Sequence, residues 1–302
     1  MYSSVELAYR SDAEIGESPR WDTRTQRLIW VDVNRGKLAF FDPKLGTNIE
    51  YALGTKIGVA VLAEDGLIGL AVQDGFALFD EASEGLTKLV VVEERPDYRF
   101  NDGAVDAAGR FYAGTMRVPP VLQSAHLYSL DATGLVSARL RDVGLANGMA
   151  WSLDNKKFYF ADTMLGNIQE FDYELSDGAI SNPRVLLELP EKIGLADGMI
   201  IDSEGCLWLA IWRGGQIWRI TPKGKVITKI HLPVTQVTSM GFGGKNLDKL
   251  FITSATFQIP PDQLHLQPLA GSIFVADVGV VGIEQNLFIY PRTSSELGRF
   301  DP

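Results

Sequence analysis

Three oxygen-bearing residues stand far apart in the chain, each at the start of a short apolar segment. Glu17, Asn147 and Asp197 supply two carboxylates and one amide carbonyl. That donor set suits a hard divalent cation whose remaining coordination positions are filled by water. Without a cation, the two carboxylates would repel each other at close range. These residues can therefore bind a metal together only if the fold brings them to one point.

A short apolar segment recurs six times along the chain, and each copy follows a polar turn. The copies begin at Leu28, Leu67, Arg110, Lys157, Cys206 and Lys249. One apolar segment precedes each copy and another follows it, as in a meander of antiparallel strands. The interval matches one four-stranded blade, about 40–50 residues. The sequence therefore predicts an all-β fold, a six-bladed β-propeller of four-stranded antiparallel blades around a central channel.

We expect residues 1–302 to form a single propeller domain. Closing the ring removes the exposed edges of an open sheet, so the N-terminal strand near residues 5–9 is expected to complete the last blade beside residues 282–288. Residues 257–270, which contain three prolines, form an irregular insert. The polar tail at residues 291–302 is expected to be loose.

Propeller geometry gives the three oxygen-bearing residues a common location. The innermost strands of all blades start at the same end of the channel, so the residues at these starts point to one place. The positions are Glu17, Ile57 or Gly58, Asn101 with Asp102, Asn147, Asp197, and Thr238 with Ser239. Most of them are polar, and we predict that Glu17, Asn147 and Asp197 bind one divalent cation there.

Asn-Gly and Asp-Gly pairs also have a simpler interpretation, because they are the commonest signal for a tight turn. Asn147-Gly148 and Asp197-Gly198 could each form a turn and nothing more. Asp102-Gly103 has the same position relative to its strand, and Glu17 occupies the same register without a glycine after it. The repetition favours a shared site over isolated turns.

Composition limits the partners and the chemistry. The net charge is −10 and the 28 basic residues are scattered, so nucleic acid is not an expected partner. No segment approaches the ~20 apolar residues of a membrane span, and no export signal is recognisable. The single cysteine, Cys206, excludes an internal disulfide and is interpreted as a packing residue, which fits a cytoplasmic location. The histidines fall on outer strands or loops, which argues against a nucleophilic triad: His126, His231 and His265.

Five segments of the chain resemble the SMP-30/gluconolactonase/luciferin-regenerating family of regucalcin-like sugar lactonases. They are GESPRWD from Gly16, RFNDGAVDAAGRFYAGTM from Arg99, NGMAWSLDNKKFYFADT from Asn147, DGMIIDSEGCLWLAIW from Asp197 and VTSMGFGGKNLDKLFITSA from Val237. The resemblance runs nearly end to end and implies a six-bladed propeller.

The resemblance also implies a function: hydrolysis of a small sugar lactone to an aldonic acid by one divalent metal. Glu17, Asn147 and Asp197 would be the metal ligands, Asp197 would also be the general base, and Arg99 and Asn101 would bind substrate. Calcium is the expected ion, although zinc, magnesium, manganese and iron(II) suit the same donors. A monomer or a small homo-oligomer is expected.

One position departs from the family pattern. Mammalian members carry a further substrate-contacting glutamate just after the GTM motif, where this chain reads Arg117-Val118-Pro119-Pro120. The substrate preference is therefore expected to differ.

Other interpretations stay open. Arg99 could instead form a surface salt bridge with Asp97 or Asp102, and Asn101 could be a turn residue. The same oxygen ligands would also serve a calcium-binding regulatory protein without turnover, or an enzyme that hydrolyses arylesters or phosphotriesters. A propeller that binds peptides on its face fits less well, since it has no need to gather carboxylates.

Overall fold

The computed structural model describes residues 5–292 and the backbone of residues 299–301. These residues form β-strands joined by turns, with three single turns of 3₁₀ helix at Glu64–Gly66, Glu191–Ile193 and Leu264–Leu266. No helix in this part of the chain is long and apolar enough to cross a membrane.

The strands form six antiparallel sheets, one for each blade. The N-terminal strand β1 is Glu6–Tyr9. Blade 1 contains β2 (Gly16–Asp22), β3 (Arg27–Asp32), β4 (Lys37–Asp42) and β5 (Thr47–Ala52). Blade 2 contains β6 (Ile57–Leu62), β7 (Ile68–Val72), β8 (Gly75–Asp80) and β9 (Gly85–Val91). Blade 3 contains β10 (Tyr98–Val105), β11 (Phe111–Arg117), β12 (Ala125–Leu130) and β13 (Leu135–Val143).

The second half of the ring repeats this arrangement. Blade 4 contains β14 (Ala146–Trp151), β15 (Lys157–Asp162), β16 (Asn167–Glu174) and β17 (Ala179–Glu188). Blade 5 contains β18 (Leu195–Ile201), β19 (Leu207–Trp212), β20 (Gln216–Ile220) and β21 (Val226–His231). Blade 6 contains β22 (Val237–Gly243), β23 (Lys249–Ser254), β24 (Ile273–Asp277) and β1. The predicted six-bladed propeller is therefore confirmed.

Burial follows the distance of each strand from the channel. Every residue of β2, β6, β14 and β22 is buried, whereas β5 and β17 are largely exposed. The apolar core lies mainly between neighbouring blades. Trp21 of blade 1, for example, stacks on Phe251 of blade 6 with ring centroids 5.4 Å apart. Each inner strand packs on the next, and β22 packs on β2, which closes the ring.

The N-terminal strand lies at the outer edge of blade 6, but its neighbour differs from the one expected. Leu7 of β1 pairs with Phe274 of β24, and residues 282–288 take no part in that sheet. That expectation was wrong because the segment after β24 serves another purpose. It crosses the far end of the channel, where Gly282 bridges to Asp202 and Phe288 bridges to Ala63. Phe288 is fully buried against Phe111 and fills the gap between blades 2 and 3.

Part of the polar tail is in a strand. The backbone of Arg299–Asp301, strand β25, pairs in parallel with Leu135, Val136 and Ser137 of β13, at the outer edge of blade 3. The rest of the predicted loose tail, residues 293–298 and 302, lies outside the described residues, as do residues 1–4.

Candidate metal centre

Every inner strand contains a register irregularity near its start. The residues skipped by the ladder are Ser18 with Pro19, Gly58, Asn101 with Asp102, Asn147 with Gly148, Asp197 with Gly198, and Thr238. A bulge of this kind leaves its residues unpaired and redirects their side chains. Six bulges at one level of the ring therefore release side chains from the sheets at one end of the channel.

The turn interpretation of the Asn-Gly and Asp-Gly pairs is wrong. Asn147-Gly148 lies within β14, and Asp197-Gly198 lies within β18. The glycines are required by close packing: a Cβ on Gly148 would lie 2.4 Å from the Cβ of Met199 and 2.6 Å from the carbonyl oxygen of Asp197. Neighbouring inner strands approach this closely because no side chain separates them.

Asn147 is held with its amide oxygen free. The Thr163 hydroxyl donates to the carbonyl of Ala196 at 2.7 Å, so it must accept from Nδ2 of Asn147 at 2.9 Å. That pairing fixes the amide orientation. Among the described residues no donor reaches Oδ1 of Asn147, although the side chain is 5% exposed. An amide oxygen without a protein donor is available to coordinate a cation.

Two buried carboxylates share this end of the channel. Glu17 is 8% exposed and Asp197 is 7% exposed. Burial raises the pKa of Glu17 to about 8, and the negative charge of Asp102 contributes to that rise, while the N–H of Ser18, 2.9 Å from Oε2 of Glu17, opposes it. Burial and the charges of Glu17 and Asp102 likewise raise the pKa of Asp197. The carboxylates thus repel one another, and a cation would relieve that repulsion.

Arg99 and Asn101 form a connected pair beside the carboxylates. Nη1 of Arg99 donates to Oδ1 of Asn101 at 2.7 Å and to the carbonyl of Phe100 at 2.9 Å, and Nδ2 of Asn101 donates to the carbonyl of Ala146 at 2.8 Å. Burial lowers the pKa of Arg99 to about 10, and the charges of Glu17 and Asp197 oppose that fall. Arg99 therefore lies within electrostatic range of both carboxylates.

The surface interpretation of Arg99 fails. Its side chain is 6% exposed, and Asp97 pairs with Arg117 at 2.8 Å. Asn101 lies within β10 and bridges to blade 4, so it is not a turn residue.

The donor set fits a hard cation. In the described part of the chain, no three His, Cys, Asp or Glu side chains are close enough to hold a metal by themselves. A metal at this end of the channel therefore needs the free amide oxygen of Asn147 in addition to Glu17 and Asp197. Two carboxylates and an amide oxygen, with no sulfur or imidazole, match the preference of calcium or magnesium more closely than that of softer metals.

Two residues that act on the proposed metal ligands were given no role by the sequence analysis. Thr163, which orients Asn147, follows the end of β15. Arg20 is buried in β2, and its charge acts on both Glu17 and Asp102. Both stand inside the motifs quoted above, but nothing in their spacing shows that they approach another blade.

Comparison with known proteins identifies the family of this chain. A family model described as the SMP-30/Gluconolactonase/LRE-like region matches residues 15–256. The chain belongs to this family. The resemblance drawn from the five motifs is thus confirmed, and the zebrafish (Danio rerio) regucalcin is 38% identical over 284 residues, covering 92% of this chain and 96% of that protein.

Solved structures of the SMP-30/gluconolactonase family superpose closely. A luciferin-regenerating enzyme, 29% identical, has a TM-score of 0.88 and covers 95% of this chain and 99% of its own. Regucalcin from Agrobacterium tumefaciens, described as a calcium-binding protein, has a TM-score of 0.91 over 95% of this chain and 97% of its own. At 24% identity, that second likeness shows the fold alone.

The tight packing at Gly148 leads to a prediction about the stability of the protein. Gly148→Ala should lower the free energy of unfolding by about 1–3 kcal/mol, because the new methyl group must displace β18. Denaturant unfolding followed by tryptophan fluorescence measures the change. Gly85→Ala is the matched control, since its Cβ would meet nothing closer than the Ser83 hydroxyl at 3.0 Å. Equal stability of the two variants would contradict the packing argument.

Proposed function

We propose that this protein hydrolyses a small sugar lactone to the aldonic acid, using one calcium ion bound by Glu17, Asn147 and Asp197. The observation that carries the proposal is the free Oδ1 of Asn147 beside two mutually repelling, buried carboxylates. Membership of a family whose description includes gluconolactonase supports the choice of substrate. The calcium-binding description of the Agrobacterium protein supports the choice of ion.

The cation, when bound, would act as a Lewis acid toward the lactone carbonyl and offset the negative charge that develops on it. Asp197 would accept the proton of the attacking water. In the metal-free protein, burial and the charges of Glu17 and Asp102 raise its pKa, which makes this carboxylate a stronger base than a solvent-exposed aspartate.

Arg99 and Asn101 would bind and orient the sugar. Nη1 of Arg99 is engaged by Phe100 and Asn101, and its Nε and Nη2 donate to no residue in the described part of the chain. Those N–H groups are free to contact ring or hydroxyl oxygens of the substrate. The two fixed contacts hold the guanidinium in place before substrate arrives, which reduces the entropy lost on binding.

Arg99→Ala separates substrate binding from metal binding. We expect kcat/KM to fall about 100-fold, as for the loss of a well-placed donor, while the bound calcium per chain stays unchanged. Steady-state kinetics and metal analysis of the same preparation measure both. Arg184→Ala is the control, because this half-exposed arginine pairs with Glu170 and Asp172 on the outer part of blade 4 and is expected to retain normal kinetics. Loss of the metal in Arg99→Ala would contradict the assigned role.

The function itself is tested with metal-stripped protein and a panel of lactones: gluconic, galactonic, xylonic, arabinonic and rhamnonic. A pH indicator reports acid release above the spontaneous rate as calcium, magnesium, manganese, zinc or iron(II) is restored. Rhamnonic lactone, which lacks one hydroxyl, is included because the loop after β11 carries no acid and exposes Val118, Val121 and Leu122. Calcium binding without turnover of any lactone would favour a regulatory protein and overturn the proposal.

A further inference from the structure

A cavity lies at the end of the channel opposite the candidate metal centre. Its volume is about 350 Å³. Glu17, Asn147 and Asp197 stand near the starts of β2, β14 and β18, whereas the cavity is lined by residues farther along the same strands, among them Arg20, Met149 and Met199. Residues 283–286, in the segment that crosses the channel after β24, form another wall.

Arg20 is the basic residue that lines this cavity, and the acidic lining residue, Glu284, is exposed at the rim. The side chain of Arg20 is 8% exposed, and Nη2 donates to the carbonyl of Gly103 at 2.8 Å. No carboxylate of residues 5–292 comes within 4.0 Å of its guanidinium, and the charges of Asp102 and Glu17 act on it from farther away. A buried cation without an ion-pair partner is unfavourable, and proteins rarely keep one without a use. The charge of Arg20 partly offsets those of Glu17 and Asp102 from a distance, but Nε and Nη1 of this arginine donate to no residue in the described part of the chain.

We propose that the cavity binds a small organic monocarboxylate with an apolar body, whose carboxylate pairs with Arg20. The guanidinium fork matches a carboxylate in a two-pronged hydrogen bond. A single anionic charge is the appropriate match, because Arg20 is the sole basic residue lining the cavity. The volume falls within the range of small-molecule sites.

The other lining residues determine the body of the ligand. Three inner strands present apolar surface to the cavity through four side chains: Met149, Trp151, Met199 and Phe242. The uncharged polar lining residues, among them Ser152 and Asn155, lie beyond the ends of the inner strands, so a polyhydroxylated acid seated against these four apolar side chains would leave hydroxyl groups unpaired, which is unfavourable. An aryl or alkyl carboxylate fits the lining, and so the proposed product of the metal centre is a poor ligand here.

The cavity is open to solvent at its rim. Ala107, Leu153 and Ile283 line it and are exposed, with Leu153 at 49% and Ile283 at 42%. A ligand can therefore enter from the face opposite the metal centre without passing through the channel. The amide side chains of Gln285 and Asn286 stand at the same rim.

Calorimetric titration of the calcium-loaded protein tests the proposal with matched pairs of probes. Benzoate and 3-phenylpropanoate carry the carboxylate, and benzamide and 3-phenylpropanamide have the same shape without the charge. We expect at least one carboxylate to bind about tenfold or more tightly than its amide, the usual strength of a charge-assisted hydrogen bond. Equal affinities, or no binding of either carboxylate at millimolar concentration, would overturn the proposal.

Variants locate the binding. Arg20→Met should weaken carboxylate binding at least tenfold and leave amide binding unchanged, whereas Arg24→Met, at a half-exposed arginine paired with Asp22, should change neither. Ala107→Phe should weaken both probes by narrowing the rim, and because Ala107 is exposed, this variant decides the matter if Arg20→Met does not fold. Unaltered binding in Ala107→Phe would contradict the location.

One further variant distinguishes this cavity from the metal centre, where a carboxylate could also coordinate calcium. Asp197→Ala removes a proposed metal ligand and leaves the cavity intact. Carboxylate binding should persist in Asp197→Ala within about twofold, since the side chain does not line the cavity. Loss of binding together with loss of calcium would place the ligand on the cation and overturn the proposal.

Discussion

Asp197→Ala should abolish lactone hydrolysis and weaken calcium binding in the same variant. The proposed site uses this one carboxylate twice, as a metal ligand and as the base that accepts the proton of water. General-base catalysis contributes up to about 10⁴-fold, and losing a ligand weakens metal binding by more than the 10- to 100-fold typical of an outer-shell change. We therefore expect kcat/KM to fall at least about 10³-fold.

Asp197→Asn separates the two roles. It keeps an oxygen for the metal but removes the basic carboxylate, so calcium binding should partly survive while turnover is lost. Asp172→Asn is the control, because this half-exposed aspartate pairs with Arg184 on the outer part of blade 4. Calorimetric titration with calcium and initial rates on one lactone measure both effects. A metal-replete Asp197→Ala enzyme with normal rates would refute the assignment.

Calcium should stabilise the protein more strongly at pH 8 than at pH 5.5. The pKa of Glu17 rises from 4.5 to about 8 in the folded, metal-free protein, and the pKa values of Asp197 and Asp102 move the same way. Between these two pKa values the folded state binds more protons than the unfolded state. The metal-free protein therefore loses stability as the pH rises through this window.

Calcium binds the deprotonated carboxylates and replaces those protons. At saturating calcium, about 1,000 times Kd, binding contributes about 4 kcal/mol, so Tm should rise roughly 5–10 °C at pH 8 and less at pH 5.5. Thermal unfolding with calcium and with a chelator measures the difference. Glu17→Gln should reduce the pH dependence of the metal-free protein. A calcium-induced rise in Tm that stays constant or shrinks with increasing pH would contradict this account of the site.

The repeat made much of the fold predictable from sequence. The six inner strands could be aligned by their apolar segments, and that alignment placed Glu17, Asn147 and Asp197 in one register before any coordinates were considered. Rotational symmetry then required them to share one end of the channel. The structure places the charges of Glu17 and Asp197 within interacting range and the Asn147 side chain beside Asp197, while their metal-binding role stays a prediction.

The features that the sequence could not predict depend on contacts between blades. The bulges that release Asn147 and Asp197 from their ladders look like turns in the sequence, because Asn-Gly and Asp-Gly are turn signals. The close approach of Met199 to Gly148, which requires the glycine, is a contact between blades that the sequence does not show. The prediction that residues 282–288 pair with the N-terminal strand was wrong for a related reason. Phe288 packs into a hydrophobic gap between blades 2 and 3, and no local sequence pattern predicts that gap.

The strand pairing that completes blade 6 also constrains how the molecule can be made. Leu7 pairs with Phe274, so β1 is synthesised long before its partner β24 and stays unpaired until most of the described chain has been made. During that interval β24 does not exist and a five-blade intermediate exposes unpaired strand edges, which favour association between nascent chains. Contacts so distant in sequence also slow refolding. A circularly permuted gene that begins between β21 and β22, with residues 1 and 302 linked, would place β22, β23, β24 and β1 of blade 6 in the first part of the chain.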